Sequence, residues 1–386
     1  MGSMKAIGIN VPRGLWHKTR GFQLMDVPRP QLEGSHDRDS VILKPLFTGV
    51  CGSDRNVWYR SAFDQLIYGS METQKETFRV LGHEIVGKIL ESGPQARSKG
   101  FEPGLVVAVE SHIYCGTCLQ CQEGQFHICS NDKIIGFSQN GGFAEAVKLP
   151  SKVLWKLGSG KIRHEVAAVM EPFGNAVHAC SVVPLKGKQV AIFGCGSIGM
   201  FTLMIAKAMG AKRVVGIEPD PNHIELSKEL GVDEMIQLPV AAKTSPESLM
   251  NEDLIKTVRR SFGGQGPDVS FEMAGYNSSV NHALSATRRG GNIILFGIKS
   301  GTFAIPDFDS IVMQGKTLRG IVGRRVFETW ELAQSLLEDA SNQIQEKIYS
   351  VLLNQGKQTI VELQAFDPVS FEKQLKSFPK ILVKVT

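Results

Sequence analysis

The chain of 386 residues has no long apolar run, no block of arginine or lysine, no heptad series, no tandem repeat and no low-complexity tract. Each absence removes a class. A membrane-spanning helix needs about 18 or more consecutive apolar residues, so none is expected. The net charge of +5 is spread along the chain rather than gathered in a basic stripe interleaved with aromatics, so no nucleic-acid partner is implied. Cysteine is scarce at seven, an odd number. A hydrophobic content of 42% over this length can bury a core without covalent staples, which argues against a disulfide framework. No secretory leader is recognisable, and with free thiols this points to a reducing compartment, the cytoplasm. Met1-Gly2-Ser3 ahead of Met4 reads as an added segment, with the native chain expected from Met4. Length alone suggests about two domains.

What the chain does have is concentrated. Cys115, Cys118, Cys121 and Cys129 form a C-x2-C-x2-C-x7-C run. Four thiolates so close in sequence suit one tetrahedral zinc ion, and four sulfurs leave no position for water or substrate. Such an ion orders a loop, and the chemistry must lie elsewhere.

Two rhythms divide the sequence. To about Leu157, short β-rich runs are broken by glycine and proline: Met4 to Ile9, Val41 to Phe47, Glu84 to Leu90, Leu105 to Val109, Ala144 to Leu149. This predicts an irregular, mostly antiparallel domain. From about Met170, strands alternate with helices: Gln189 to Phe193, a helix over Ile198 to Met209, Arg213 to Ile217, then strands at Asp268 to Phe271 and Asn292 to Gly297. That is a βαβ pattern for a buried parallel sheet. After about Gly323 one helix, Glu328 to Leu337, and short strands are expected, the latter returning to the first domain.

Gly194-Cys195-Gly196-Ser197-Ile198-Gly199 fits G-x-G-x-x-G directly after a strand and at the start of a helix. Gly194 permits the turn, Gly196 lets backbone approach a pyrophosphate, and Gly199 allows helix to pack on sheet, with the helix N-terminus facing phosphate. Glu218 stands where an acid should hydrogen-bond the adenosine ribose, and Pro219 and Asp220 supply no cation for a 2′-phosphate. NAD is therefore preferred over NADP.

Outside the four-cysteine loop, Cys51, the pair His83-Glu84 and Glu171 carry zinc-ligand chemistry beside glycines, though each singly is commonplace. Their order adds weight. Gly49-Val50-Cys51-Gly52-Ser53-Asp54, Leu81-Gly82-His83-Glu84, the cysteine lobe, the stretch Glu171 to His178 and the dinucleotide fingerprint follow one another in a way that resembles the zinc-dependent medium-chain dehydrogenases. Within them Ser111 to Gly116, Glu171 to His178 and Gly323 to Trp330 are most similar to L-threonine 3-dehydrogenases, with sorbitol and other polyol dehydrogenases next.

The resemblance implies an α/β chain with a GroES-like β-rich catalytic domain at 1–168, containing a zinc lobe at about 112–131. A Rossmann doubly wound coenzyme domain follows at 169–325, and 326–386 completes the catalytic domain. It implies a catalytic zinc on Cys51, His83 and Glu171, with Glu84 an exchangeable fourth ligand or a partner of the ligands, and Ser53 as proton relay. It further implies a homo-oligomer, tetramer or dimer. Three protein ligands leave a position at which a secondary alcohol can be acidified and its hydride passed to NAD. The implied reaction is L-threonine to 2-amino-3-oxobutanoate, with polyol, sugar-alcohol or aminocyclitol oxidation as the alternative and a non-catalytic zinc- and nucleotide-binding protein as the remote one.

Two departures bear on substrate. The resemblance predicts a histidine five residues after Cys51, where this chain has Asn56, which cannot act as a base. The segment Trp58 to Arg79 is also longer than in the relatives, and its aromatics and arginines suit either a substrate pocket or a surface loop at a subunit contact. His178, His127, Cys180 and Cys195 are expected as packing or loop residues, and Arg324 as solvent-facing.

Overall fold

Alternation along β3 (Ser40–Gly49) and β5 (Glu84–Ser92) sends Val41, Leu43, Ile85 and Ile89 to one face, where they meet Val107, Val109, Val147 and Leu149 in a buried cluster. Side chains of period two on strands that pair are what builds such a core. The computed structural model describes residues 2–238, 250–298 and 302–385, which divide into two units. The first is Met1–Pro172 with Arg325–Glu338 and Ile348–Thr386; the second is Phe173–Arg324 with Asp339–Lys347.

In the first unit, β1 (Ser3–Ile9), β2 (Gln23–Pro28) and β4 (Arg79–Val80) form a sheet of order β2-β1-β4. A larger antiparallel sheet holds β3 and β5 with β6 (Val106–Val109), β9 (Val147–Pro150) and β10 (Leu154–Lys156), while β7 (His112–Ile113) and β8 (Lys133–Ile134) pair beneath the cysteine run. The expected start of β9 at Ala144 is three residues early. Ala144 makes only an isolated bridge to Ala6, because Phe143 and Ala146 are committed to the buried clusters on either side.

In the second unit β11 (Gln189–Phe193), β12 (Arg213–Glu218), β13 (Glu234–Gln237), β14 (Val269–Glu272), β15 (Asn292–Leu295) and β16 (Thr317–Gly320) form a parallel sheet of order β13-β12-β11-β14-β15-β16. Helix Ser197–Ala208 crosses from β11 to β12 and Pro221–Leu230 from β12 to β13. This is the doubly wound order whose reversal beside the first strand opens a ligand crevice at the carboxyl ends of the strands. The expected doubly wound architecture is what the chain adopts.

The return to the first unit follows the expected helix, here Glu328–Glu338, and then β17 (Ile360–Glu362) and β18 (Leu382–Lys384), the latter antiparallel to β3. Between them a helix, Pro368–Ser377, was not anticipated. Its signals were present: Asp367 accepts from the Ser370 N–H as N-cap, Pro368 opens the first turn, and Phe371 and Leu375 bury one face.

Trp58, Arg60, Tyr68 and Arg79 of the segment Trp58 to Arg79 are buried in the first unit, whereas Tyr59 is exposed and Phe63 packs on Phe137, whose ring lies against His83. The segment holds the helix Asp64–Gln74, and Trp58 packs against Phe22 and Phe371 inside the first unit. Buried Arg60 stacks on Trp16 and donates to the carbonyls of Val57 and Gly21. The Tyr68 hydroxyl donates to Val11 O, and buried Arg79 bonds Gln74 and Ser70. Long amphipathic side chains here fill a core and satisfy its carbonyls. Arg324 is a correction: expected in solvent, it is 1% exposed, lies over Gly174 and donates to Asn175 Oδ1. The bond to the Asn175 side chain within the second unit helps to offset its burial.

Candidate active site

Antiparallel pairing of β3 with β5 sets Gly49 opposite Glu84, so the chain just past β3 and the chain just before β5 arrive at one place. A Cβ at Gly49 would lie 2.0 Å from Glu84 Oε2. Glycine at 49 is what leaves that carboxylate its space. Cys51 then caps the helix Gly52–Trp58, its N–H donating to Asp54 Oδ2 at 2.9 Å. His83 follows Gly82, whose φ of +86° lets the chain turn into β5.

The Cys51 sulfur, a His83 ring nitrogen and a Glu84 carboxylate oxygen lie within 4.8 Å of one another. Sulfur, imidazole and carboxylate are the donor types zinc takes, and Glu84 Oε1 is buried without a hydrogen-bond partner. A cation fits there. Behind the group, buried Lys380 pairs with Glu84 Oε2 and donates to Val50 O. Burial pushes the Glu84 carboxyl up, against the pull of Lys380. Burial also raises Asp54, whose Oδ2 lies 3.8 Å from His83 Nδ1. Burial alone would depress the His83 imidazole, but Asp54, Cys51 and Glu171 together carry it to about 10.

Ser53 Oγ lies 3.5 Å from His83 Nε2. Glu171, in the first turn of helix Met170–Ser181, stands outside the group of three. Its Oε1 accepts from Ser111 Oγ at 2.7 Å, and its charge acts on His83, Glu84 and Asp54. Asp54, Lys380 and Ser111 were missed from sequence. A lone acid, lysine or serine has no spacing signature, and only Asp54, three residues past Cys51, sits where a reader could have looked.

The four lobe sulfurs also lie within 4.8 Å of one another. Backbone N–H groups point at them: Cys115 N–H at Cys129 Sγ (3.2 Å), Thr117 and Cys118 N–H at Cys115 Sγ (3.4 and 3.3 Å), Asn131 N–H at Cys129 Sγ (3.4 Å). These donors suit thiolates rather than thiols, and a closed set of four sulfurs suits structural zinc.

In the second unit Gly196 caps the helix Ser197–Ala208, with Ile198 in its first turn. A Cβ at Gly196 would meet nothing within 4 Å, whereas one at Gly199 would lie 2.0 Å from Gly194 O. The first glycine leaves an open cradle at a helix N-terminus for a pyrophosphate; the second permits the turn to pack on its own helix. Glu218, ending β12, spans the turn: Oε2 accepts from Cys195 N–H at 2.6 Å and Oε1 from Asp220 N–H at 3.0 Å. Both carboxylate oxygens are thereby held by backbone N–H groups at the end of β12, beside the glycine turn. His178 is a core residue, its Nδ1 3.0 Å from Gly323 O, and Cys180 and Cys195 are buried packing thiols.

Residues 37–159 match the alcohol dehydrogenase GroES-like domain and 197–339 the zinc-binding dehydrogenase family. An L-threonine 3-dehydrogenase of Pyrococcus horikoshii is 33% identical over 81% of this chain and 82% of its own length. One from Bacillus licheniformis is 31% identical over 85% and 87%. Among solved structures, the 2R,3R-butanediol dehydrogenase of Bacillus subtilis superposes with a TM-score of 0.77 at 24% identity, covering 99% of each chain, a likeness of fold.

Proposed function

The chain belongs to the zinc-dependent medium-chain dehydrogenases, enzymes of the alcohol dehydrogenase type that use zinc and NAD, and on that premise we propose that it oxidises L-threonine to 2-amino-3-oxobutanoate. What carries the assignment of a redox site is the buried sulfur, imidazole and carboxylate at Cys51, His83 and Glu84, with Glu84 Oε1 lacking a protein donor. What favours threonine is the set of L-threonine 3-dehydrogenases that match over four-fifths of the chain.

When bound, zinc supplies a Lewis acid that makes a substrate hydroxyl acidic, and NAD accepts the hydride. Cys51 and His83 hold the metal, with Glu84 and Glu171 as the carboxylates that complete or trade places in its shell. Ser53 takes the hydroxyl proton on its way to water. Asn56 has no basic nitrogen and plays no part in that transfer. Gly194, Gly196, Ser197, Ile198 and Gly199 receive the pyrophosphate, and Glu218 accepts from the ribose. In this proposal 1–168 and 326–386 form the catalytic domain, 169–325 forms the coenzyme domain, and the lobe cysteines hold a second zinc. Exposed Phe308, Val312, Met313 and Val322 beside the edge strand β16 support a homo-oligomer, tetramer or dimer. No described helix is long and apolar enough to cross a membrane, and a cytoplasmic site is proposed.

A second substrate class is polyols or aminocyclitols: Asn56 stands where the resemblance predicts a histidine in threonine and polyol dehydrogenases alike, so it counts against threonine without singling out either class. NADH formation across L-threonine, sorbitol, butanediol and aminocyclitols decides between them. Turnover of threonine at the highest kcat/KM is the expected result; turnover of a sugar alcohol with none of threonine overturns the substrate and leaves the class. Metal analysis should give two zinc ions per chain, and one would mark a scaffold without a redox centre.

A further inference from the structure

We propose that Ser111 is a positioning residue, and that Glu110, His112 and Trp330 hold it so that its hydroxyl aims the Glu171 carboxylate at the metal site; the proposal rests on Cys51, His83 and Glu171 forming that site. Glu110-Ser111-His112 is the link from β6 into β7, and Glu110 and Ser111 are 0% and 1% exposed. Two adjacent buried polar residues in a linker must be satisfied side by side. Ser111 Oγ donates to Glu171 Oε1 at 2.7 Å, the length of a bond to a charged acceptor.

A serine hydroxyl has one proton to give, and its direction is set by what the oxygen accepts. His112 Nδ1 lies 3.1 Å from Ser111 Oγ and 3.3 Å from Glu110 Oε1. With a proton on Nδ1, both oxygens accept from it, and the serine proton is left to Glu171. Glu110 favours that tautomer. Its Oε1 also accepts the His112 N–H at 3.0 Å, and its Oε2 accepts Trp330 Nε1–H at 3.0 Å. Trp330 sits in helix Glu328–Glu338, 1% exposed and packed with the rings of Trp155 and Phe327, which holds the donor to Glu110 in place. The outer side of the chain ends at Asp132, 3.8 Å from His112 Nε2.

Because Glu171 stands outside the close group of Cys51, His83 and Glu84, its reach toward a metal depends on which way its carboxylate is turned. Partners one step removed from a metal typically change its affinity or the activity by about 10–100-fold when removed.

The test uses the full chain with cobalt(II) exchanged for zinc, taking the spectrum of Cys51→Ser as the lobe contribution to be subtracted. Chelator competition and kcat and KM are measured alongside. Ser111→Ala should shift the buried site's ligand-field bands and weaken its metal affinity about 10–100-fold, with a change in kcat larger than that in KM. Ser111→Thr should restore all three. Trp330→Phe, which keeps the ring packing and removes only the N–H, should move the bands the same way by less. If Ser111→Ala leaves bands and affinity at parental values while Glu171→Gln changes both, the positioning role is wrong and the site stands. If Glu171→Gln changes neither, Glu171 is no part of the site and the proposal falls with that assignment.

Discussion

The two groups of the first unit proposed to hold zinc are built on opposite principles. The lobe gathers Cys115, Cys118, Cys121 and Cys129 from one continuous stretch, and Cys115 and Cys118 remain partly exposed. Its sulfurs are oriented by backbone N–H groups two or three residues away. Cys51, His83, Glu84 and Glu171 come from three distant stretches, and their partners are side chains: Asp54 beside His83, Lys380 paired with Glu84, and the Ser111 hydroxyl bonded to Glu171. A local site needs little of the fold to exist, whereas a dispersed one exists only once β3, β5 and β18 have paired. The dispersed arrangement mixes sulfur, nitrogen and oxygen donors, and that mixture is what catalytic zinc sites use.

Exchanging one ligand in each gives the largest contrast. Cys51→Ser should lower turnover at least about 1,000-fold, equivalent to ~4 kcal/mol of barrier, and release one zinc while thermal unfolding stays near the parent's. Cys118→Ser should release the other zinc and lower the unfolding temperature, yet leave kcat per folded molecule within about tenfold of the parent's, since that sulfur touches no reacting atom. Zinc content, melting temperature and initial rates read all three. Loss of turnover in Cys118→Ser well below its melting temperature would erase the distinction.

The balancing charges should matter next. Lys380 is 2% exposed and Glu84 fully buried, so Lys380→Met leaves an uncompensated carboxylate. Breaking such a pair costs about 3–5 kcal/mol, measurable as lost stability of the zinc-free protein to urea. Lys380→Arg should recover most of it. Equal stability of the Met variant would mean that Glu84 takes up a proton at no cost. Gly49→Ala probes the same carboxylate sterically, since its Cβ would sit 2.0 Å from Glu84 Oε2; overpacking of about 1–3 kcal/mol and loss of the buried zinc are expected.

The contrast also explains what could be read from the sequence. The lobe is legible because thiolate spacing is itself the constraint, and the fingerprint because strand, glycines, helix and acid follow one another. β11 runs over the expected Gln189–Phe193, and the helix expected from Ile198 begins one residue earlier. Cys51, His83, Glu84 and Glu171 were visible only as an ordered set resembling a known family. Two of the partners have no sequence signal: Lys380 reaches Glu84 through the pairing of β18 with β3, and Ser111 reaches Glu171 from a two-residue linker. Tertiary placement decides such contacts, and residue type does not. The burial of Trp58 is unreadable for the same reason, because its partners Phe22 and Phe371 lie on either side of it in sequence and far away.

The finest expected difference lies within the lobe after zinc is removed. N–H and hydroxyl donation from Thr117, with the Cys118 N–H, holds the Cys115 thiol down at about 5, whereas burial pushes Cys121 up to about 12. A lowered thiol is already thiolate above its own pKa, so alkylation of Cys115 should rise with pH through about 5 and then level. That of Cys121 should keep climbing past pH 10. At pH 7 the thiolate fractions differ by roughly 10⁵, and the weaker nucleophilicity of the more acidic thiolate returns about 10³ of that. A net preference of about 10² for Cys115 should remain in peptide mass spectra after brief iodoacetamide treatment, and added zinc should abolish it by binding both sulfurs. Equal labelling of the two at pH 7 would show that the backbone donors do not act on Cys115 once the metal is gone.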